Sequence, residues 1–139
     1  MEKKLNIIVC LDERRGLLFN HRRQSKDRRV IEDIANTLEG QLYITPFSEK
    51  LFSESGIPYQ CMEHAWEHMT EKDTCFVESV DFLSQLSSVD RITVYWWNRH
   101  YPSDVRLELD FQAEGFLKIH QSEFAGFSHE KITKEIYKR

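Results

Sequence analysis

LNIIVCLDERRGLLFNHRRQSKDRRVIEDI, Leu5 to Ile34, is the stretch on which the choice of fold turns. Leu5 to Asp12 is a β-branched run, apolar at nearly every position, as expected of a central strand buried on both faces. From Ser25 the period changes. Val30, Ile31, Ile34 and Leu38 share one helical face, Ser25 is a capping residue, and Gly40 stands where a left-handed C-terminal cap belongs, which predicts a helix to about Glu39. Arg28 with Glu32 and Arg29 with Asp33 are i,i+4 pairs on that helix, each worth a few tenths of a kcal/mol.

Working outward, QLYIT (41–45) reads as a second strand, and PFSEKLFSESG (46–56) as a short helix with Pro46 in its first turn and Gly56 at its end. QCMEHAWEHM (60–69) has Met62, Ala65, Trp66 and Met69 at helical spacing. A strand TCFVE (74–78), a helix VDFLSQL (80–86) capped by Ser79 or Asp81, and a strand RITVYWWN (91–98) follow. VRLELDF and FLKIHQSEF alternate as edge or hairpin strands do, whereas HEKITKEIYKR reads as strand or helix. This order predicts an α/β chain forming one domain over residues 1–139: three layers on a mixed, mostly parallel central sheet with an antiparallel C-terminal part.

Composition narrows the function classes. A chain of 139 residues, 40% hydrophobic, is large enough to bury a core, and a net charge of −4 with pI near 5.9 argues against a dedicated nucleic-acid binder. The apolar run after the basic start is only Ile7 to Leu11, too short for a signal peptide or a membrane span, so a cytoplasmic protein is expected. Cys10, Cys61 and Cys75 are odd in number and lack C-x-x-C spacing, which fits reduced thiols.

Read in order, the elements resemble dihydrofolate reductase. NIIVCLD and GLLFN resemble that family's first strand and active-site loop, with Gly16 and Asn20 at the loop's glycine and asparagine, and SKDRRVIEDI resembles its substrate helix. The resemblance implies that Asp27 matches the acid that binds the pteridine ring and is needed for its protonation, and that Ile31 matches the apolar position one turn on. FVESVDFLSQ resembles the strand and helix that end the cofactor half, and YPSDVRLELDFQAEGFLKIHQSEF the late strands. The Gly-Gly turn that receives the cofactor's pyrophosphate has no counterpart between Leu86 and Tyr101, no Gly-Arg dipeptide precedes the helix at Phe47, and Arg22, Arg23 and Gln24 replace the Pro-Trp pair before the substrate helix. A Gly-rich turn at a helix N-terminus is how such folds approach phosphate, so no cofactor is expected. FNHRRQS, WNRHYP and SHEKITKE also resemble short bacterial proteins of unassigned function, some labelled ribonuclease Z. That enzyme needs an H-x-H-x-D-H cluster, and no two histidines here are separated by one residue.

Three constellations are candidates for chemistry. Asn20, Arg22, Arg23 and Lys26 form a basic loop leading into a helix N-terminus, suited to phosphate or carboxylate or else a solvated surface; Asp27 beside them is a candidate acid or a simple dipole partner. Cys61, His64, His68 and Cys75 are zinc-ligand types, but on a helix Cys61 and His68 stand about 10 Å apart, so no metal site is assigned. Trp97, Arg99 and His100 lie at a strand end, where open α/β sheets place ligands, or there the strand simply meets solvent. His21, His100 and His129 are a further possible grouping, and no Ser/His/Asp, Cys/His or P-loop spacing stands out. The reading is a small cytosolic protein with a reductase-like scaffold that binds a small anionic ligand or partner between Asn20–Lys26 and the WWNRHYP strand end. The alternative is an enzyme with Asp27 or a histidine as acid/base, a diverged reductase or a phosphoester hydrolase. Catalysis and oligomeric state stay open.

Overall fold

The computed structural model describes residues 4–139. Its strands are β1 (Leu5–Leu11), β2 (Gly16–Phe19), β3 (Arg22–Arg23), β4 (Leu42–Ile44), β5 (Gln60–Cys61), β6 (Thr74–Phe76), β7 (Val89–Trp96), β8 (Val105–Arg106), β9 (Leu117–Phe124) and β10 (Ile132–Lys138). Two α-helices, α1 (Arg28–Thr37) and α2 (Glu49–Ser53), and 3-10 segments Pro46–Ser48, Ala65–Glu67 and Asp81–Ser88 complete the chain. Seven strands form one sheet in the order β5-β4-β6-β1-β7-β10-β9, parallel from β5 to β7; β10 runs antiparallel to both its neighbours. The expected mixed α/β architecture with an antiparallel C-terminal part is present.

β1 is central because both its faces are apolar. Leu5, Ile7, Val9 and Leu11 pack with Trp66, Phe82, Leu107 and Phe116 on one side, and Ile8 packs with Val30, Ile34, Phe52, Tyr95 and Trp97 on the other. The alternating VRLELDF is mostly not strand: only Val105 and Arg106 pair with β2, while Leu107, Leu109 and Phe111 turn alternately into the core from a loop. HEKITKEIYKR resolves as strand because β10 lies between β7 and β9, where β-branched Ile132, Thr133 and Ile136 fit the pleat.

Four local expectations are corrected. The helix starts at Arg28 and ends at Thr37: Asp27, extended at φ −150°, is the N-cap and accepts from the Arg29 amide at 2.9 Å, while the Ser25 hydroxyl is engaged elsewhere. Gly40 is a close-approach residue rather than a left-handed cap, since a Cβ there would lie 2.5 Å from Asp73 Oδ1. The two i,i+4 pairs give way to tertiary partners: Asp33 accepts from Tyr95 Oη (2.6 Å) and Lys134 Nζ (2.7 Å), Arg28 lies 4.4 Å over the Phe127 ring, and only Arg29 and Glu32 meet, at 3.9 Å. QCMEHAWEHM is not an α-helix. Parallel pairing of Ile44 with Cys61 draws its start into the sheet edge, His64 at φ 50° breaks the backbone, and one 3-10 turn still buries Ala65 and Trp66, with Met69 buried just beyond it.

Candidate functional site

The C-terminal ends of the parallel strands converge on a slot. Cys10, Phe76, Glu78 and Trp97 come from these ends, Leu17 and Arg23 from the small sheet β3-β2-β8, Gln24–Asp27 from the connection, Val30 and Ile31 from α1 and Leu51 from α2. The slot is narrow, about 20 Å³, and shares Lys26, Asp27, Ile31 and Leu51 with a wider groove of about 780 Å³, open to solvent, that runs out between α1 and the segment after α2 past Arg28 and Phe127. Strand ends of an open α/β sheet are where such folds take ligands, because loops diverge there and leave a crevice.

Arg23 and Glu78 meet in the slot at 2.6 Å, and the Glu78 side chain is 8% exposed. Burial raises the Glu78 carboxyl, and the guanidinium opposes that rise. Its Oε2 is buried without a protein partner, and so is Gln24 Oε1. Gln24 is held by its amide nitrogen, which donates to Asp12 Oδ2 and to the Pro102 carbonyl, both at 3.1 Å. Both residues line the slot, so two unmatched acceptors are buried in its wall.

A second cluster stands beside it. Asp27 Oδ1 accepts from the Arg29 and Phe127 amides, each at 2.9 Å, and Oδ2 from the Ser128 amide (2.9 Å), the Ser128 hydroxyl (3.2 Å) and His129 Nδ1 (2.8 Å). Burial by itself raises this carboxyl, but these donors outweigh it and hold it well below the usual carboxylate range. With Nδ1 donating to Asp27, Nε2 of a neutral His129 accepts, and both Ser25 Oγ and Tyr101 Oη stand 3.0 Å from it. Trp97 stacks on the imidazole at 4.7 Å and 20°.

Asp12, fully buried, organises the rim. It accepts from the amides of Arg14 (2.8 Å), Gly16 (2.7 Å) and Tyr101 (3.2 Å) as well as from Gln24, so the loop after β1 and the loop after β7 share one anchor. Gly16 is required there: a Cβ would fall 2.5 Å from Gln24 Nε2 and 2.9 Å from Asp12 Oδ2.

The sequence candidates separate. Asp27, Arg23, Lys26 and Trp97 line the slot. Asn20 and His21 have φ of 52° and 61° and form the two-residue turn of the β2–β3 hairpin, so Arg22 and Arg23 belong to a strand rather than a loop. Asn20 and Arg22 are exposed and not among the slot's lining residues. Arg99 donates to the Ser128 carbonyl at 3.3 Å, and His100 is exposed outside the slot. His129 is buried apart from His21 and His100, which face solvent. His64 and His68 are exposed and Cys75 is in the core with its thiol pushed up to about 12 by burial; among the described residues no three His, Cys, Asp or Glu side chains gather as a metal set. Sequence reasoning missed Asp12, Gln24, Ser25 beyond capping and Glu78, which come from three distant segments with no shared spacing.

No family model and no curated protein matches the chain. Among solved structures, dihydrofolate reductase from Enterococcus faecalis, complexed with NADP(H) and RAB-propyl, superposes with a TM-score of 0.71 over 100% of this chain and 99% of that one, at 13% identity. The fold is dihydrofolate reductase-like. NADP(H) is bound by that protein, and the residues here do not fit it. No turn leaving a parallel strand of the sheet carries adjacent glycines; β6 runs into Val77, Glu78 and Ser79, and Asp81 opens the following 3-10 segment, so that turn offers carboxylates rather than a glycine-rich cradle of amides for phosphate. Among the described residues, no helix is long and apolar enough to cross a membrane.

Proposed function

We propose that the chain is a small cytosolic binding protein whose slot takes a ligand with a flat, hydrogen-bond-donating head and an anionic tail. The observation that carries this reading is Glu78 Oε2, buried in the slot and unpartnered, with Gln24 Oε1 in the same state. An unmatched buried acceptor costs about 1–3 kcal/mol, more for a charged one, and a ligand N–H placed against it recovers that. Trp97, Phe76, Leu17 and Val30 give the slot apolar walls, which part to admit a flat ring from the wider groove. Lys26 and Arg28 at the outer groove favour an anionic tail, which narrows the expected basic site to these two, since Arg23 is already neutralised by Glu78.

Asp27 does not suit the role of an acid facing the ligand, because its carboxylate already accepts from five donors. The reading thus keeps the reductase scaffold and moves the ligand-facing carboxylate from α1 to the end of β6. A thermal-shift series with folates, nucleotides and sugar phosphates tests it. A ligand at a hundred times its Kd adds about 2.7 kcal/mol of stability. Folates and similar flat, amino-bearing anions are expected to raise the melting temperature, and sugar phosphates are not; no shift with any flat donor-bearing anion overturns the reading.

A further inference from the structure

Ser25, His129 and Asp27 stand in a row that no neighbouring sequence spacing announces. Ser25 Oγ is 3.0 Å from His129 Nε2, and His129 Nδ1 is 2.8 Å from Asp27 Oδ2. The His129 and Asp27 side chains are 2% and 0% exposed, whereas Ser25 lines the inner slot. The imidazole is fixed on one face by Trp97 and at Nδ1 by Asp27, so the one ring nitrogen left to accept stands 3.0 Å from the hydroxyls of both Ser25 and Tyr101. This is the order of roles in an acyl-transfer triad: an accessible hydroxyl, a base within reach of its proton, and a buried carboxylate that sets the tautomer.

We propose that the protein hydrolyses small carboxylic esters with Ser25 as nucleophile, His129 as general base and acid, and Asp27 as the positioning residue. The proposal rests on the slot described above as the place where the substrate binds. Ser25 Oγ attacks the ester carbonyl carbon while its proton passes to His129 Nε2, and Asp27 stays ionised beside the imidazolium. The tetrahedral intermediate then collapses, the bond to the alcohol oxygen breaks, and that oxygen takes the proton from Nε2. Water attacks the acyl-serine, giving a proton to Nε2; the carboxylic acid leaves and Ser25 regains its proton. Tyr101 Oη, 3.4 Å from Ser25 Oγ and 3.0 Å from His129 Nε2, is the hydroxyl placed to donate to the oxyanion. The narrow, apolar slot around the serine suits only the smallest acyl groups, such as acetyl.

The same hydrogen bonds also tie the loop 126–129 to the start of α1, so the test needs a readout that a clasp does not move. Full-length protein is treated with diisopropyl fluorophosphate, and the modified residue is mapped by peptide mass; turnover of p-nitrophenyl acetate is followed in parallel. The expected result is one adduct, on Ser25, and ester turnover that falls at least about a hundredfold in Ser25→Ala and in His129→Gln. Tyr101→Phe is expected to lower kcat by about a hundredfold with KM little changed, and it keeps the test valid should His129→Gln fail to fold. Absence of an adduct on Ser25, an equal labelling rate in folded His129→Gln, or turnover that survives Ser25→Ala overturns the proposal. The two readings fail separately. Folate-induced thermal shifts in a protein whose Ser25 stays unmodified leave the binding reading standing and the relay refuted; a Ser25 adduct with no ligand shift does the reverse.

Discussion

Asp27 and His129, 102 residues apart in the chain, meet at 2.8 Å in the interior. The helix cap is thus also the anchor of the loop before β10. Its five donors depress the carboxyl below the ordinary aspartate value of 3.8, as donors also do for Asp12 and Asp73. A depressed folded-state value means the unfolded chain binds more protons. The stabilisation is complete above 3.8 and is lost as pH falls further. Urea midpoints should therefore drop below about pH 4. Asp27→Asn is expected to cost about 2 kcal/mol or more at neutral pH and to flatten that acid dependence.

Glu78 has the opposite sign. Burial raises its carboxyl above the ordinary 4.5 against the pull of Arg23, so its contribution to stability is present at low pH and is lost as pH rises through the folded value. Glu78→Gln should leave the neutral-pH melting temperature nearly unchanged while weakening a donor-bearing ligand by about ten- to a hundredfold, the worth of a hydrogen bond to a charged group. Isothermal titration of the two proteins with the same folate is the check.

Trp97 is buried in the slot and stacked on His129 at 4.7 Å, so a ring entering the slot changes its surroundings directly. A ligand-dependent change in tryptophan emission is expected in the parent protein. It should disappear in Trp97→Phe, although Trp66 and Trp96 remain.

Removing the Asp12 carboxylate strips acceptors from the amides of Arg14, Gly16 and Tyr101 at once. Asp12→Ala is expected to cost about 3 kcal/mol, and hydrogen exchange should quicken at Gly16 and Tyr101 together, although one opens β2 and the other lies in the loop after β7.

Gly126 packs its α-carbon against the Asp27–His129 pair; a Cβ there would lie 2.7 Å from Asp27 Oδ2 and 2.7 Å from the His129 carbonyl. Gly126→Ala should cost about 1–3 kcal/mol by forced displacement, and the Phe127 amide should lose its protection in exchange measurements.

The central strand, the amphipathic helix and the antiparallel end were legible because burial on one or two faces imposes a period that a sequence displays: Ile7, Ile8 and Val9 in β1, Val30 and Ile34 in α1. Where tertiary partners decide, that legibility ends. Asp33 had a local partner on paper and took Tyr95 and Lys134 instead, and the Met62–Met69 stripe marked burial correctly but not the 3-10 turn that delivers it. For the candidate site, Asp27, Lys26 and Trp97 were legible from their place at a helix start and a strand end. Glu78 was not: nothing in FVESV says that its glutamate lines the slot with one oxygen buried and without a partner. Ser25 and His129 lie 104 positions apart, beyond any spacing rule.

β10 begins three residues after His129 and is held in the sheet between β7 and β9, which makes the timing of site formation a matter of topology. The slot's floor and α1 come from residues up to Trp97, but the imidazole reaches Asp27 only once the last strand has docked. Pairings so distant in sequence form slowly, because loop closure precedes the contacts that reward it. Pulse-labelling during refolding should therefore find the Val9 and Tyr95 amides, which face the β1–β7 seam, protected before those of Phe127 and Ser128. An intermediate on that route would have a pocket without a relay, competent to hold a ligand and inert toward it.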